Sequence, residues 1–215
     1  MTTLTGTPGN DTLNGGDGND ELSGQAGSDT IAGGGGNDRI YSATVSPAFI
    51  TPYYERRGET PVLDTGSEID VLSGDVGNDW LFAGYGDIVD GGTGNDVLYI
   101  SFKGATAGVT ADFVPMRWGV ANFSIGATTL TGIEEIGWLE GSAFDDYLST
   151  SQGPISGGGG NDHVVGGYFG GSFFGGDGDD LIDTTNTFYG GALWGDQGDD
   201  TLIGCLLYTS PSPRD

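Results

Sequence analysis

A nine-residue beat runs through this chain and constrains its fold more than any other feature. Aligned on an acid, residues 6–14, 15–23, 24–32 and 33–41 read GTPGNDTLN, GGDGNDELS, GQAGSDTIA and GGGGNDRIY. The sixth place holds Asp11, Asp20, Asp29 and Asp38; the eighth holds Leu13, Leu22, Ile31 and Ile40. A second array, TGSEIDVLS, GDVGNDWLF, AGYGDIVD and GGTGNDVLY, spans residues 65–99 with Asp70, Asp79, Asp87 and Asp96, each two places before Leu72, Leu81, Val89 or Leu98. A third, residues 141–204, carries Asp146, Asp162, Asp180 and Asp200. Every second turn of that array has lost its acid, yet Ile155, Phe173 and Leu193 keep the aliphatic or aromatic beat.

Three residues with one apolar side chain in the middle make a very short strand whose middle residue points inward. Six residues rich in glycine and Asx make a tight turn with positive φ at several positions. Strand, turn, strand, turn takes eighteen residues and returns the chain to its starting edge. The expected fold is therefore all-β, a parallel β-roll or β-helix solenoid with two turn edges and essentially no α-helix. Its eighth-place residues meet inside two parallel sheets.

The stack also explains the acids. Successive coils lie about 4.8 Å apart, so acids one full coil apart, such as Asp11 with Asp29 and Asp20 with Asp38, become vertical neighbours. Bare carboxylates about 5 Å apart repel by on the order of 1–3 kcal/mol per pair. Calcium–oxygen bonds of about 2.3–2.6 Å fit one ion midway between two turns, with glycine carbonyls supplying further oxygens. Several calcium ions are the expected cofactors, the twelve acids of the sixth place their expected ligands, and folding is expected to be linked to ion uptake. Zinc would call for His and Cys.

Composition agrees. Glycine supplies 44 of 215 residues, about three times its usual share of roughly 7 %, without the three-residue period of collagen. The formal charge of −25 argues against nucleic acid and anionic membrane as partners and for cations. Aromatics at 11 % and periodic apolar positions argue against an acidic disordered tail. No apolar run approaches the roughly 18 residues of a membrane span. The start MTTLTGTPGNDTL lacks the basic and apolar regions of a signal peptide. A single cysteine, Cys205, excludes an internal disulfide.

Two segments interrupt the beat. Residues 42–64, with three prolines and Arg56–Arg57, read as an excursion loop. Residues 100–140 read as a β-rich spacer, strands such as VTADF and FSIGATTL joined by turns. The subdivision is thus 1–41, 42–64, 65–99, 100–140 and 141–204. The last eleven residues, CLLYTSPSPRD, break the pattern and resemble a translated sequencing adapter, which would place the natural C-terminus elsewhere.

The repeats GGDGNDELS, GGGGNDRIY, GGTGNDVLY and GGDGDDLID resemble the haemolysin-type (RTX) calcium-binding nonapeptide GGxGxDxUx, a motif known to form calcium-binding β-helices. The resemblance implies a right-handed roll, type I secretion, an extracellular location and folding on meeting calcium. It leaves open a structural or export module, an accessory part of a secreted polysaccharide-modifying enzyme, protease or lipase, and a surface adhesin with an extracellular polysaccharide or cell-surface partner.

No catalytic residue is assigned. His163 lies at an outward-facing seventh place without the partners of a Ser-His-Asp or HExxH site, and no EF-hand loop is present. Asp17, Asp177 and Asp196 read as solvated turn acids. Tyr168, Phe169, Phe173, Phe174, Phe188, Tyr189 and Trp194 fall on acid-free turns. They read as packing that replaces a missing ion in preference to a carbohydrate-stacking edge.

Overall fold

The computed structural model of the chain describes residues 1–44, 64–66, 68–114 and 121–204. The excursion loop with Arg56–Arg57, apart from its first three residues and its last, and the segment 205–215 with Cys205 lie outside the described residues.

One sheet runs the length of the described chain. In spatial order it contains β1 (Thr3–Thr5), β3 (Glu21–Ser23), β5 (Arg39–Tyr41), β7 (Trp80–Ala83), β9 (Val97–Ser101), β13 (Glu135–Glu140), β15 (Ile155–Gly159), β17 (Gly171–Asp177) and β19 (Gly191–Gln197). All its pairings are parallel. The facing layer is divided. Its first part holds β2 (Thr12–Asp17), β4 (Thr30–Gly35), β6 (Val71–Val76), β8 (Ile88–Asp90), β12 (Thr128–Ile133) and β11 (Ala121–Ile125); its second holds β10 (Thr110–Phe113), β14 (Tyr147–Thr150), β16 (His163–Gly166), β18 (Leu181–Thr184) and β20 (Thr201–Gly204). Among the described residues there is no α-helix.

The expected pair of sheets is thus one long sheet opposite two shorter ones, and the spacer is the reason. Strand β12 adds to β8 in parallel, but β11 folds back on it antiparallel through a two-residue turn with Gly126 at φ 58°, which closes the first short sheet. Strand β10 then opens the second, while β13 keeps the long sheet continuous by pairing with both β9 and β15. A bulge at Gly137 corrects the register there; a methyl group at this residue would strike the Tyr99 ring. The excursion is absorbed in the same way. Ile31 pairs with Leu72 and Ile40 with Leu81, so the extra residues are taken up in one turn and the strands on either side stay in register.

Between the layers lies a single core built from the eighth place. Leu4, Leu22, Ile40, Leu81, Leu98 and Ile136 align along the long sheet, and Leu13, Ile31, Leu72, Val89 and Leu130 along the facing one. Away from the ends these residues are buried, as are Ile155, Phe173 and Leu193 of the acid-free turns. A second apolar cluster occupies the opposite face of the long sheet. The ninth-place residues Tyr41, Phe82 and Tyr99 stack at 4.4 and 4.6 Å, joined by Trp138 and the half-buried Trp80, Val97 and Phe174. Simple in–out alternation would have left these rings in water; they are at most 5 % exposed.

Candidate metal columns

The acids of the sixth place form three hydrogen-bonded columns. In the first, the N–H of Asp11 donates to Oδ1 of Asp29 at 2.8 Å, that of Asp29 to Asp70 at 2.6 Å and that of Asp70 to Asp87 at 3.0 Å. In the second, Asp20 donates to Asp38, Asp38 to Asp79 and Asp79 to Asp96, all at 2.7–2.8 Å. The third runs from Val109 through Asp146, Asp162 and Asp180 to Asp200. The vertical pairing of Asp11 with Asp29 and Asp20 with Asp38 follows the eighteen-residue coil, and all twelve acids lie in one of these columns.

Each bond consumes one carboxylate oxygen and leaves the other. Oδ2 of Asp20, Asp29, Asp38, Asp79, Asp96, Asp162, Asp180 and Asp200 is buried without a hydrogen-bond partner. A buried, unpaired, charged oxygen is costly and rare in folded proteins. Eight of them, repeated rung by rung, make a donor set suited to a hard cation.

The glycines complete it. At the first place of each turn, backbone and carboxylate close on the same point: a methyl on Gly24 would strike both Oδ2 of Asp29 and the carbonyl of Ser42 in the next coil. Gly33 and Gly157 repeat this with Asp38 and Gly74, and with Asp162 and Gly175. A carboxylate oxygen and a carbonyl oxygen from adjacent coils, all hard donors without nitrogen or sulfur, suit calcium. At the second place the requirement differs. Gly16 has φ 88°, and the same left-handed conformation is met at Asp75 (φ 67°) and Asp196 (φ 69°), as Asx residues tolerate.

Electrostatics point the same way. Burial pushes the carboxyls of Asp70, Asp79, Asp87 and Asp162 up to about 7, and those of Asp96 and Asp180 to about 6. N–H donors from the backbone pull them back, and nearby carboxylates push them further up. Asp29 and Asp38 rise for the same leading reason. A cation on the orphan oxygens removes both penalties.

The other four acids differ. Oδ2 of Asp11 accepts the N–H of Thr7, and Oδ2 of Asp146 that of Ser142, both at 2.5 Å. Asp87 accepts from Gly84. Asp70 and Asp87 converge instead on Asp64, all three buried, with one oxygen from each within 4.8 Å of the others. Asp64 lies outside the nonapeptide phase, at the end of the excursion, and the repeat pattern gave no signal for it.

Sequence reasoning also missed a second ladder, although the recurring Asn-Asp pair was its signal. Fifth-place N–H groups donate backwards, Asn37 to Asn19, Asn78 to Asn37 and Asn95 to Asn78, at 2.9–3.0 Å. Asn161, Asp179 and Asp199 continue it against Asp145, Asn161 and Asp179. Of the remaining residues, His163 packs edge-on against Tyr147 at 5.1 Å, and Asp177 accepts from the Gln197 amide at 2.5 Å. The seven aromatics of the acid-free turns separate. Phe173 is in the core, Phe174 stacks on Trp194 outside the long sheet, and Tyr168, Phe169, Phe188 and Tyr189 stack among themselves at the turn edge.

Coils stapled by carboxylate–backbone bonds, with a spare buried oxygen at most rungs, define a metal-binding β-roll. The family model of the RTX calcium-binding nonapeptide repeat matches this chain in four copies, over residues 3–41, 64–98 and 193–204. The repeats bind calcium and serve a structural role. Asp146, Asp162 and Asp180 fall outside the matched ranges but share one column with Asp200, which is inside them. No curated protein matches the chain.

Proposed function

We propose that this chain is the calcium-dependent structural roll of a secreted bacterial protein, compact where calcium is plentiful and open where it is scarce. The observation that carries the reading is the series of eight buried Oδ2 atoms without partners, each belonging to a residue whose Oδ1 is already bonded to the neighbouring coil. Asp20, Asp29, Asp38, Asp79, Asp96, Asp162, Asp180 and Asp200 hold the ions, with Asp64, Asp70 and Asp87 forming a carboxylate-rich variant. Asp11 and Asp146 stand near column ends: N–H donors take both oxygens of Asp146, and the Thr7 N–H and hydroxyl take Oδ2 of Asp11. Such sites fold the chain by mass action: binding that requires the stacked turns stabilises only the stacked state. Extracellular calcium modules bind at about 10⁻⁴–10⁻³ M, a range that would keep the roll open in a calcium-poor cytosol and close it outside.

The test is far-UV circular dichroism and calorimetry on residues 1–204. Millimolar calcium should convert a disordered spectrum to a β spectrum with measurable heat. An unchanged spectrum and no heat would reject the reading.

A further inference from the structure

The second column does not stop at the last repeat. The N–H of Asp96 donates to Oε2 of Glu134 at 2.8 Å, the bond that every earlier rung makes to an aspartate. Glu134 belongs to the spacer, outside any nonapeptide. Its neighbours nevertheless reproduce the repeat: the Glu135 N–H reaches the Asp96 carbonyl at 3.0 Å, as Trp80 reaches Asp38 and Val97 reaches Asp79. The Gly91 N–H reaches the Thr131 carbonyl at 2.9 Å, as Gly24 reaches Tyr41. Thr131 to Glu134 covers in three residues what Ser73 to Asp79 covers in six. The shorter turn still brings the backbone to the rung, since the N–H groups of Glu134 and Glu135 both reach the Asp96 carbonyl, at 3.2 and 3.0 Å.

The donor set is reproduced as well. Beside Gly74, the carbonyl of Gly91 and Oδ2 of Asp79 close on one point; beside Gly91, the carbonyl of Gly132 and Oδ2 of Asp96 do the same. That Asp96 oxygen is buried and unpartnered, in a residue with no exposed surface. The first column ends otherwise. There the Gly86 N–H meets the hydroxyl of Thr128 at 2.8 Å, and Oδ2 of Asp87 is occupied by the Gly84 N–H. A neutral hydroxyl seals that column, and no orphan oxygen remains at its end.

We infer that Glu134, the Gly132 carbonyl and Asp96 form a further calcium site, in which a spacer residue supplies the carboxylate that closes the second column. This rests on the calcium reading above and adds a ligand that the repeats do not encode. In the site, Oε2 of Glu134 holds the Asp96 N–H and its other oxygen goes to the cation. The site ties the spacer to the second array, so the long sheet passes from repeat to spacer across an ion.

The test counts calcium ions on the full chain by equilibrium dialysis and calorimetry, comparing wild type with Glu134→Gln, Glu134→Asp and Glu135→Gln. Glutamine keeps an oxygen for the Asp96 N–H, so the roll should still form in saturating calcium. Glu134→Gln is expected to bind one ion fewer, Glu134→Asp to bind that ion more weakly, and Glu135→Gln to match wild type. Equal ion counts and affinities in wild type and Glu134→Gln overturn the site while leaving the calcium roll intact. A wild-type chain that takes up no calcium overturns both. If Glu134→Gln fails to form the roll, Glu134→Asp decides, and an unweakened last ion in that variant overturns the site.

Discussion

Asp20 and Asp38, eighteen residues apart, are joined by a backbone-to-carboxylate bond of 2.7 Å that leaves the second oxygen of Asp38 buried and bare. One residue earlier the direction reverses, with the Asn37 N–H donating to Asn19 at 3.0 Å. Asn and Asp together thus bond each turn in both directions along the stack. The asparagine ladder needs no ion, whereas the aspartate ladder leaves buried carboxylate oxygens without a partner. In the first two arrays the roll is therefore preorganised by neutral side chains, with calcium to complete it, whereas Asp145 and Asp179 take part in that ladder in the third.

Replacing Asp20 and Asp38 together by asparagine separates the two roles. The amide oxygen can still accept the neighbouring N–H, but the second oxygen and its charge are gone. Removing one like-charged contact relieves about 1–3 kcal/mol of repulsion in the metal-free chain. The double variant should bind fewer calcium ions by calorimetry and show a higher calcium midpoint by circular dichroism. Unaltered ion uptake would refute the assignment of these two residues.

Without calcium, acid should partly take its place. Burial raises Asp70, Asp79, Asp87 and Asp162 to about 7 in the folded roll, from an ordinary value of 3.8. The folded state then holds protons that the unfolded chain releases, so stability falls as pH rises. This contribution is fully present below about pH 3.8 and lost as pH climbs through about 7. In chelator, the β signal should be stronger near pH 5 than near pH 8. In calcium the trend should invert, because protons and cation compete for the same oxygens. A metal-free spectrum independent of pH would contradict the buried-carboxylate account.

The acid-free turns of the third array rely on packing. Phe173 occupies the inward position there, fully buried, with Gly166 and Gly191 closing on its ring. Phe173→Ala should cost about 3–5 kcal/mol, read as a lower urea midpoint at saturating calcium. A loss under about 1 kcal/mol would mean the cavity collapses and the turn carries little of the load.

The inward beat was legible because a three-residue strand has one inward position, and only an apolar residue can fill it. Leu22, Ile31 and Leu98 needed nothing more than spacing, and the columns of Asp11, Asp20 and their successors follow from coil length. Glu134 was illegible because its turn is three residues short, so the acid falls off the nine-residue phase and changes type. Asp64 reaches its partners only through the return of the excursion, which no local pattern encodes. The stack of Tyr41, Phe82 and Tyr99 was hidden by the alternation rule itself, which assigns ninth-place residues to solvent. The continuity of the long sheet through Glu135–Glu140 depends on the bulge at Gly137, a correction visible only in three dimensions.

On the turn edge of the third array, Tyr168 and Phe188 lie in consecutive coils with ring centroids 5.2 Å apart and planes 11° from parallel. Phe169 and Tyr189 repeat the arrangement at 6.3 Å and 7°. Each stacked pair covers one face of each ring, while Phe169, Phe188 and Tyr189 stay exposed to solvent. If the pairs staple neighbouring turns that have lost their acids, they should contribute to stability and leave ion uptake alone. Phe188→Ala should lower stability by about 0.5–1.5 kcal/mol, the worth of an aromatic pair, measured by urea unfolding at saturating calcium. Calcium uptake should be unchanged, since Asp162, Asp180 and Asp200 form a separate column linked by their own backbone bonds. An unchanged unfolding midpoint, together with lost retention on an acidic polysaccharide such as alginate, would instead assign these rings to carbohydrate.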